Sequence, residues 1–223
     1  MSMCNKESLS RRLMTICSMI DSCRTVVDVG SDHGKLSAFC LESQICSDVV
    51  ATDIHELPAN RTREYLASLG FESQSQVYCT DGLQGVEIHS DMVIVIAGMG
   101  GLEIRKILSN ALSGSGIPLG TKFVLQPQRS QYELRLFLSE AGFAIEDEQI
   151  SLDKEHFYTI MKVTYQGRSY HLDDQAFFLG PCILKNKPDF FEEFMAHEKK
   201  VMQKKALGDV RCAKILENWE DLL

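Results

Sequence analysis

The chain has 223 residues, 44% of them hydrophobic, and a formal net charge of −8, which suits one globular domain of about 150–200 residues with an appendage. The acidic balance argues against non-specific nucleic-acid binding over the whole surface but leaves room for a local basic face. No apolar run reaches the ~20 residues a bilayer span requires, no signal-like core opens the chain, and the eight scattered cysteines lack C-x-x-C or zinc-like spacing, so a cytoplasmic chain with reduced thiols, no metal and no membrane partner is expected.

Taken in chain order, the pattern opens with an amphipathic helix over about 7–20, with Leu9, Leu13, Ile16 and Ile20 on one stripe. A strand at 25–30 leads into a turn at Gly30–Gly34, a helix over 34–44 and a second strand at 48–53 ending in Asp53. A helix over 56–69 stops at Gly70, a C-cap signal, and a short strand at 76–79 runs into Thr80-Asp81-Gly82. The run 92–97 is wholly apolar, as a central parallel strand should be, and it enters Ala97-Gly98-Met99-Gly100-Gly101. A helix over 102–112, a strand at 123–125 ending at Gln126-Pro127, and a helix over 131–140 closed by Gly142 follow. Strands at 143–152 and 157–165 then form a hairpin. Residues 166–188 read as a connector, and helices over 189–207 and 210–223 as an antiparallel pair. The expected fold is therefore α/β: a doubly wound, Rossmann-like seven-stranded sheet over 1–166 with an antiparallel edge hairpin, plus a C-terminal helical annex over 167–223. A monomer or weak dimer is expected.

The turn after the first strand carries the most chemical information. Val26, Val27 and Val29 end a buried strand, Asp28 and Gly30 open a tight turn, and the next strand ends in Asp53. Glycine lets the backbone approach a ligand closely, and a carboxylate at the next strand tip accepts both ribose hydroxyls of a nucleoside. A dinucleotide site calls for G-x-G-x-x-G, with the pyrophosphate on a helix N-terminus. Here Asp28-x-Gly30-x-Asp32-x-Gly34 puts two carboxylates around the turn, which repels a pyrophosphate and attracts a cation. S-Adenosylmethionine (SAM) has a sulfonium and an ammonium and no phosphate, so the spacing favours SAM over NAD and the sheet reads as a class I methyltransferase. The candidate cofactor contacts are Asp28, Gly30, Ser31, His33, Asp53, Ile54, Asp81, Gly82, Ala97, Gly98 and Met99. Two of the acids have plainer competitors: Asp32 as a helix cap and Asp81 as a turn former. The Ala97–Gly101 loop offers only backbone groups and a thioether where amino-directed methyltransferases often place an Asn/Asp-Pro-Pro-aromatic tetrad. It permits close approach of a base, or close packing of a helix.

Residues 9–200 resemble the bacterial tRNA (adenine-22 N1)-methyltransferase family, the TrmK type. The matching segments are Leu9-Ser10-Arg11-Arg12-Leu13, Asp28 to His33, Asp81-Gly82-Leu83, Ile96 to Gly101, Leu125-Gln126-Pro127, Arg135 and Leu179-Gly180-Pro181. The resemblance implies methyl transfer from SAM to N1 of an adenine in the D-arm region of tRNA, with the annex helping to grip the tRNA. Gly34-Lys35-Leu36-Ser37 stands where the family usually has Ala-Tyr-Leu-Pro, and Asp53 where Glu is common.

N1 of adenine keeps an in-plane lone pair when neutral, so no strong general base is needed. Asp32 is the candidate catalytic residue, either stabilising the cationic product base or neutralising the SAM ammonium. Arg11, Arg12, Gln126, Arg129, Arg135, Lys199 and Lys200 are candidate RNA contacts, each also readable as an ordinary surface residue. The competing readings are a SAM-dependent enzyme acting on a small molecule or protein, and a non-catalytic SAM-binding module.

Overall fold

In the computed structural model, which describes residues 9–114 and 116–223, seven strands form one sheet. They are β1 (Cys23–Val29), β2 (Cys46–Asp53), β3 (Ser75–Cys79), β4 (Met92–Met99), β5 (Lys122–Pro127), β6 (Phe143–Asp153) and β7 (His156–Tyr165). The order is β3-β2-β1-β4-β5-β7-β6. Strands β1 to β5 run parallel, and β7 is antiparallel to both β5 and β6. This is the doubly wound sheet with an edge hairpin that the sequence predicts.

Alternation along the central strands explains the layers. Val26, Val49, Val95 and Val124 face one side, where Ile16 of α1 (Arg11–Ser18), Phe39 of α2 (Lys35–Glu42) and Leu66 of α3 (Glu56–Ser68) pack on them. Val27, Ile94, Ile96 and Phe123 face the other side, under Ile104 and Leu108 of α4 (Gly101–Ser113) and Leu134 and Leu138 of α5 (Gln131–Ala141). A strand covered on both faces has no polar side, which is why 92–97 is apolar throughout. Each fully buried aliphatic side chain contributes about 1.5–3 kcal/mol. Strand order reverses between β1 and β4, so a crevice opens at the carboxyl ends of these two strands.

Helix α1 begins at Arg11, where Ser10 caps it by accepting from the Leu13 amide at 3.3 Å. The expectation of a start near 7 falls partly on residues outside those described. The expected connector contains two short helices, α6 (Asp174–Leu179) and α7 (Pro181–Asn186). They lead to α8 (Phe191–Lys205), α9 (Val210–Glu217) and a 3-10 turn at Trp219–Leu222. Leu179, Ile183, Phe194, Met195, Met202, Ile215 and Trp219 bury one another together with Ile150 of β6. Among the described residues no helix is long and apolar enough to cross a membrane.

One predicted RNA contact is overturned here. Arg135 is 1% exposed, and its Nε donates at 2.8 Å to Oε1 of Glu148, which is 0% exposed. Its Nη1 donates to the carbonyls of Phe177 and Phe178 at 3.0 and 3.2 Å. The second Glu148 oxygen accepts from the Cys182 amide at 3.0 Å. Arg135 lies on the buried Leu134–Leu138 stripe of α5, so no phosphate can reach it; it ties α5 and β6 to α6 and α7. Gly180 crosses this knot at φ +101°, and a Cβ there would lie 2.6 Å from Glu148 Oε2 and 2.9 Å from Arg135 Nη2.

Candidate functional site

The carboxyl ends of β1, β2 and β3 lie side by side and build one half of the crevice. The Gly30 amide donates to Thr52 O at 2.7 Å and the Thr80 amide to Asp53 O at 2.8 Å, continuing the parallel ladder into the loops. The Thr52 hydroxyl donates to Gly82 O at 2.8 Å and fixes the β3 loop against β2. These bonds bring the predicted residues from Asp28 to His33, Asp53 with Ile54, and Asp81 with Gly82 onto one rim.

The two acids of the first turn divide the work. Asp28 is buried at the end of β1 and accepts from the Ser37 hydroxyl at 2.7 Å. Burial pushes its carboxyl above the ordinary range, with the Ser37 hydrogen bond opposing that. Asp28 therefore shapes the turn from beneath rather than facing a ligand, which corrects its expected role as a direct contact. Ser31 is half-buried above it, its hydroxyl near Asp28 but without a well-formed hydrogen bond. Asp32 is exposed at φ +52°, with its carboxylate 3.4 Å from His33 Nε2. It does not cap α2, whose N-cap is Gly34 with no side-chain hydrogen bond. A left-handed non-glycine residue costs about 1–3 kcal/mol and clusters at functional sites.

Asp53 accepts from the His55 amide at 2.9 Å through Oδ1, and Oδ2 has no hydrogen bond among the described residues. Ile54 beside it is 57% exposed, an apolar surface at the crevice mouth. Asp81 lies 3.8 Å from the Lys106 ammonium. Its turn is closed by its own carbonyl, which accepts from the Gln84 amide at 3.2 Å, and its carboxylate makes no Asx-type bond. Lys106 was missed in the sequence because nothing local marks it; it reaches Asp81 from the second turn of α4.

The loop after β4 forms the opposite wall. The register slips between Ala97 and Met99, a bulge at the switch point. Gly98 adopts φ +79°. The Met99 methyl reaches over Gly30, which is held at φ +74°, and fills the place a Cβ would take there. Gly101 serves packing: a Cβ would strike the Ser130 carbonyl where α4 and α5 begin. Of the two roles the sequence offers for this glycine run, helix packing is the one Gly101 fills.

Basic residues gather on the β4–β5–β7 side. Arg12 donates from Nη1 to Gln126 Oε1 at 2.7 Å, and its guanidinium lies 5.7 Å from the Tyr158 ring centroid. Gln126 is 0% exposed and also accepts from the Gly98 amide at 3.2 Å. It therefore supports the loop from within and is out of reach of RNA, which corrects its expected role as a direct contact. Exposed Arg129 flanks Gly100, and its carbonyl accepts from the Gly101 amide at 2.8 Å. Exposed Arg11 covers the Phe190 ring at 5.6 Å. On α8, Lys199 pairs with Glu220 at 2.8 Å, and Lys200 is exposed.

The arrangement is polar in charge: Asp32, Asp53 and Asp81 border the β1–β3 half, while Arg12 and Arg129 border the β4–β5 half. The first half fits SAM on two counts. Asp53 keeps a carboxylate oxygen without a hydrogen bond among the described residues for ribose, and Asp32, Asp53 and Asp81 offer a cationic donor negative charge without a phosphate-binding turn. Among the described residues no cluster of His, Cys, Asp and Glu has the makings of a metal site.

A family described as a methyltransferase domain matches residues 9–161. The chain is 27% identical over 194 residues to the tRNA (adenine(22)-N(1))-methyltransferase of Bacillus subtilis, covering 84% of this chain and 79% of that one. The crystal structure of Streptococcus pneumoniae Sp1610 in complex with S-adenosyl-L-methionine superposes with a TM-score of 0.84 at 25% identity, over 96% of this chain and 99% of that one. Bacillus subtilis TrmK superposes with a TM-score of 0.78 at 24% identity, over 96% of this chain and 95% of that one, a likeness of fold.

Proposed function

The chain belongs to the methyltransferase-domain family, within it to the TrmK type, and from that premise we propose that it methylates N1 of adenine 22 in the D-arm region of tRNA, using SAM. The observation that carries the proposal is the charge polarity of the crevice, acidic where a cationic donor sits and basic where a polyanion arrives. A small neutral acceptor gives no reason for exposed Arg129 to stand beside the loop after β4.

SAM supplies, when bound, an electrophilic methyl group on a positively charged sulfur. Asp53 would hold the ribose hydroxyls, exposed Ile54 would offer apolar surface to the adenine, and Asp81, paired with Lys106, would accept from the adenine amine. Ser31, Gly82, Ala97 and Gly98 contribute backbone surface, and His33 orients Asp32. N1 attacks as a neutral nucleophile, so the protein's task is alignment, which contributes up to about 7–11 kcal/mol when the reacting groups are held in place. The target base must leave its pairing and stacking contacts to expose N1. Arg11, Arg12, Arg129 and Lys200 hold the backbone of the displaced segment, with Lys199 exchanging Glu220 for phosphate. Asp32, exposed at the first turn where the two halves meet, would counter the charge of the base as it becomes cationic. A boundary near residue 166 divides the work: the sheet domain carries the chemistry and the annex extends the RNA surface. A cytoplasmic monomer or weak dimer suits this work.

Tritium transfer from labelled SAM to unmodified tRNA, followed by mapping of the methylated nucleotide, tests the reading. Label at adenine N1, with activity falling steeply as salt rises, is the expected result; label only in a small molecule or protein refutes it. Asp32→Ala should lower turnover with SAM affinity intact. Loss of SAM affinity instead would place Asp32 on the donor's ammonium.

A further inference from the structure

Gln126 and Gln128 flank Pro127 at the tip of β5, and the structure uses them differently. The amide of Gln126 is buried and engaged at both ends. Its Oε1 accepts from Arg12 and from the Gly98 amide, and its Nε2 donates to Pro127 O at 3.0 Å. Gln128 is exposed, and its side-chain amide makes no hydrogen bond among the described residues. Its backbone is nevertheless pinned to the loop after β4, because its N–H donates to Met99 O at 2.8 Å. Its Nε2 lies 3.8 Å from the point a Cβ on Gly98 would occupy, and Arg12 Nη1 lies at the same distance. One free amide thus stands beside Gly98 at the switch point, on the basic side of the crevice.

We infer that Gln128 reads the Hoogsteen edge of the target adenine, its Oε1 accepting from N6 and its Nε2 donating to N7. The inference rests on the reading of adenine N1 as the methyl acceptor. N1 must keep its lone pair for the methyl group, so a reader of the base has to use another edge. N6 and N7 present a donor beside an acceptor, the pair that a primary amide matches in a bidentate contact. Guanine presents two acceptors there, O6 and N7, and leaves Oε1 facing a carbonyl. A site built to hydrogen-bond its substrate rejects an analogue that cannot reciprocate. The Ala97–Gly101 loop has no polar side chain for this task and Gln126 is occupied.

The test pairs a protein change with a base change. Full-length wild type and Gln128→Ala are assayed on tRNA carrying adenine or 7-deazaadenine, which lacks the N7 acceptor, at the methylated position. Wild type should lose about three- to tenfold in kcat/KM on the 7-deaza substrate, the worth of one hydrogen bond. Gln128→Ala should lose about five- to hundredfold on natural tRNA and nothing further on the 7-deaza substrate, with SAM affinity by calorimetry and melting temperature unchanged. Equal rates of wild type on the two substrates, or a full 7-deaza penalty retained in Gln128→Ala, would overturn the inference while leaving the function in place. No N1 methylation by wild type on any tRNA would instead overturn the underlying reading and the inference with it.

Discussion

Replacing Arg135 with Met should unhinge the annex. The substitution roughly keeps the volume of the stem but leaves the wholly buried Glu148 carboxylate without its counter-charge. It also takes donors from the carbonyls of Phe177 and Phe178. Breaking a buried ion pair from one side costs about 3–5 kcal/mol, because the remaining charge stays desolvated. For a chain of this size each kcal/mol moves the midpoint by about 2–4 °C, so a fall of about 6–20 °C is expected in a calorimetric scan. Water reaching Glu148 should accompany it, so limited proteolysis should cut the segment between β7 and α6 sooner than in wild type. The double variant Arg135→Met/Glu148→Leu should recover much of the loss, since an apolar pair of similar volume replaces an ion pair at little cost. A single variant destabilised by less than about 1 kcal/mol, or a double variant melting no higher than the single, would refute the assignment of Arg135 and Glu148 as the knot between sheet and annex.

Two further changes probe other parts of the molecule. Asp53→Ala removes a charge-assisted contact worth about 1.5–3 kcal/mol and should raise the Kd for SAM about ten- to hundredfold by calorimetry; an unchanged Kd would separate Asp53 from the cofactor. Asp21 accepts from Lys122 at 2.7 Å and from Lys162 at 2.6 Å, and these hydrogen bonds, Lys122 first, hold its carboxyl below the usual range. A depressed folded pKa stabilises above the ordinary carboxylate range and loses that contribution as the pH falls through the lowered value. Asp21→Asn should therefore melt lower than wild type at pH 7, by about 1 kcal/mol or less because the groups are partly exposed, with the gap closing in acid. A gap independent of pH would show that the ion pairs do not contribute.

Most of the sheet was legible because its cause is local. The run at 92–97 has no polar face, so it had to be a strand covered on both sides, and Gly142 closes α5 at φ +85° as the sequence indicates. The first turn was legible in its backbone, with Gly30 at φ +74° and Asp53 closing β2 where the sequence places them, while the burial of Asp28 against Ser37 was not. Arg135 was misread because an arginine on an amphipathic helix carries no mark of its partner, and Glu148 is thirteen residues away on another element. The stripe shared with Leu134 and Leu138 was the available clue. Helices α6 and α7 were missed because six residues each give too short a period to see. Asp173, which accepts from the Ala176 amide at 2.8 Å, and Pro181 at the first turn of α7 were the cap signals that marked them. Lys106 and Gln128 were invisible for a different reason: their surroundings are made by neighbours on other strands and helices.

The Gly180 crossing has a consequence for how this chain can vary. A side chain there must displace either a carboxylate oxygen or a guanidinium nitrogen, and neither has anywhere dry to go. In a saturation library scored for soluble protein, position 180 should stay blank beside permissive neighbours, and a reader who equates intolerance with chemistry would mistake a seam of the architecture for part of the reaction centre.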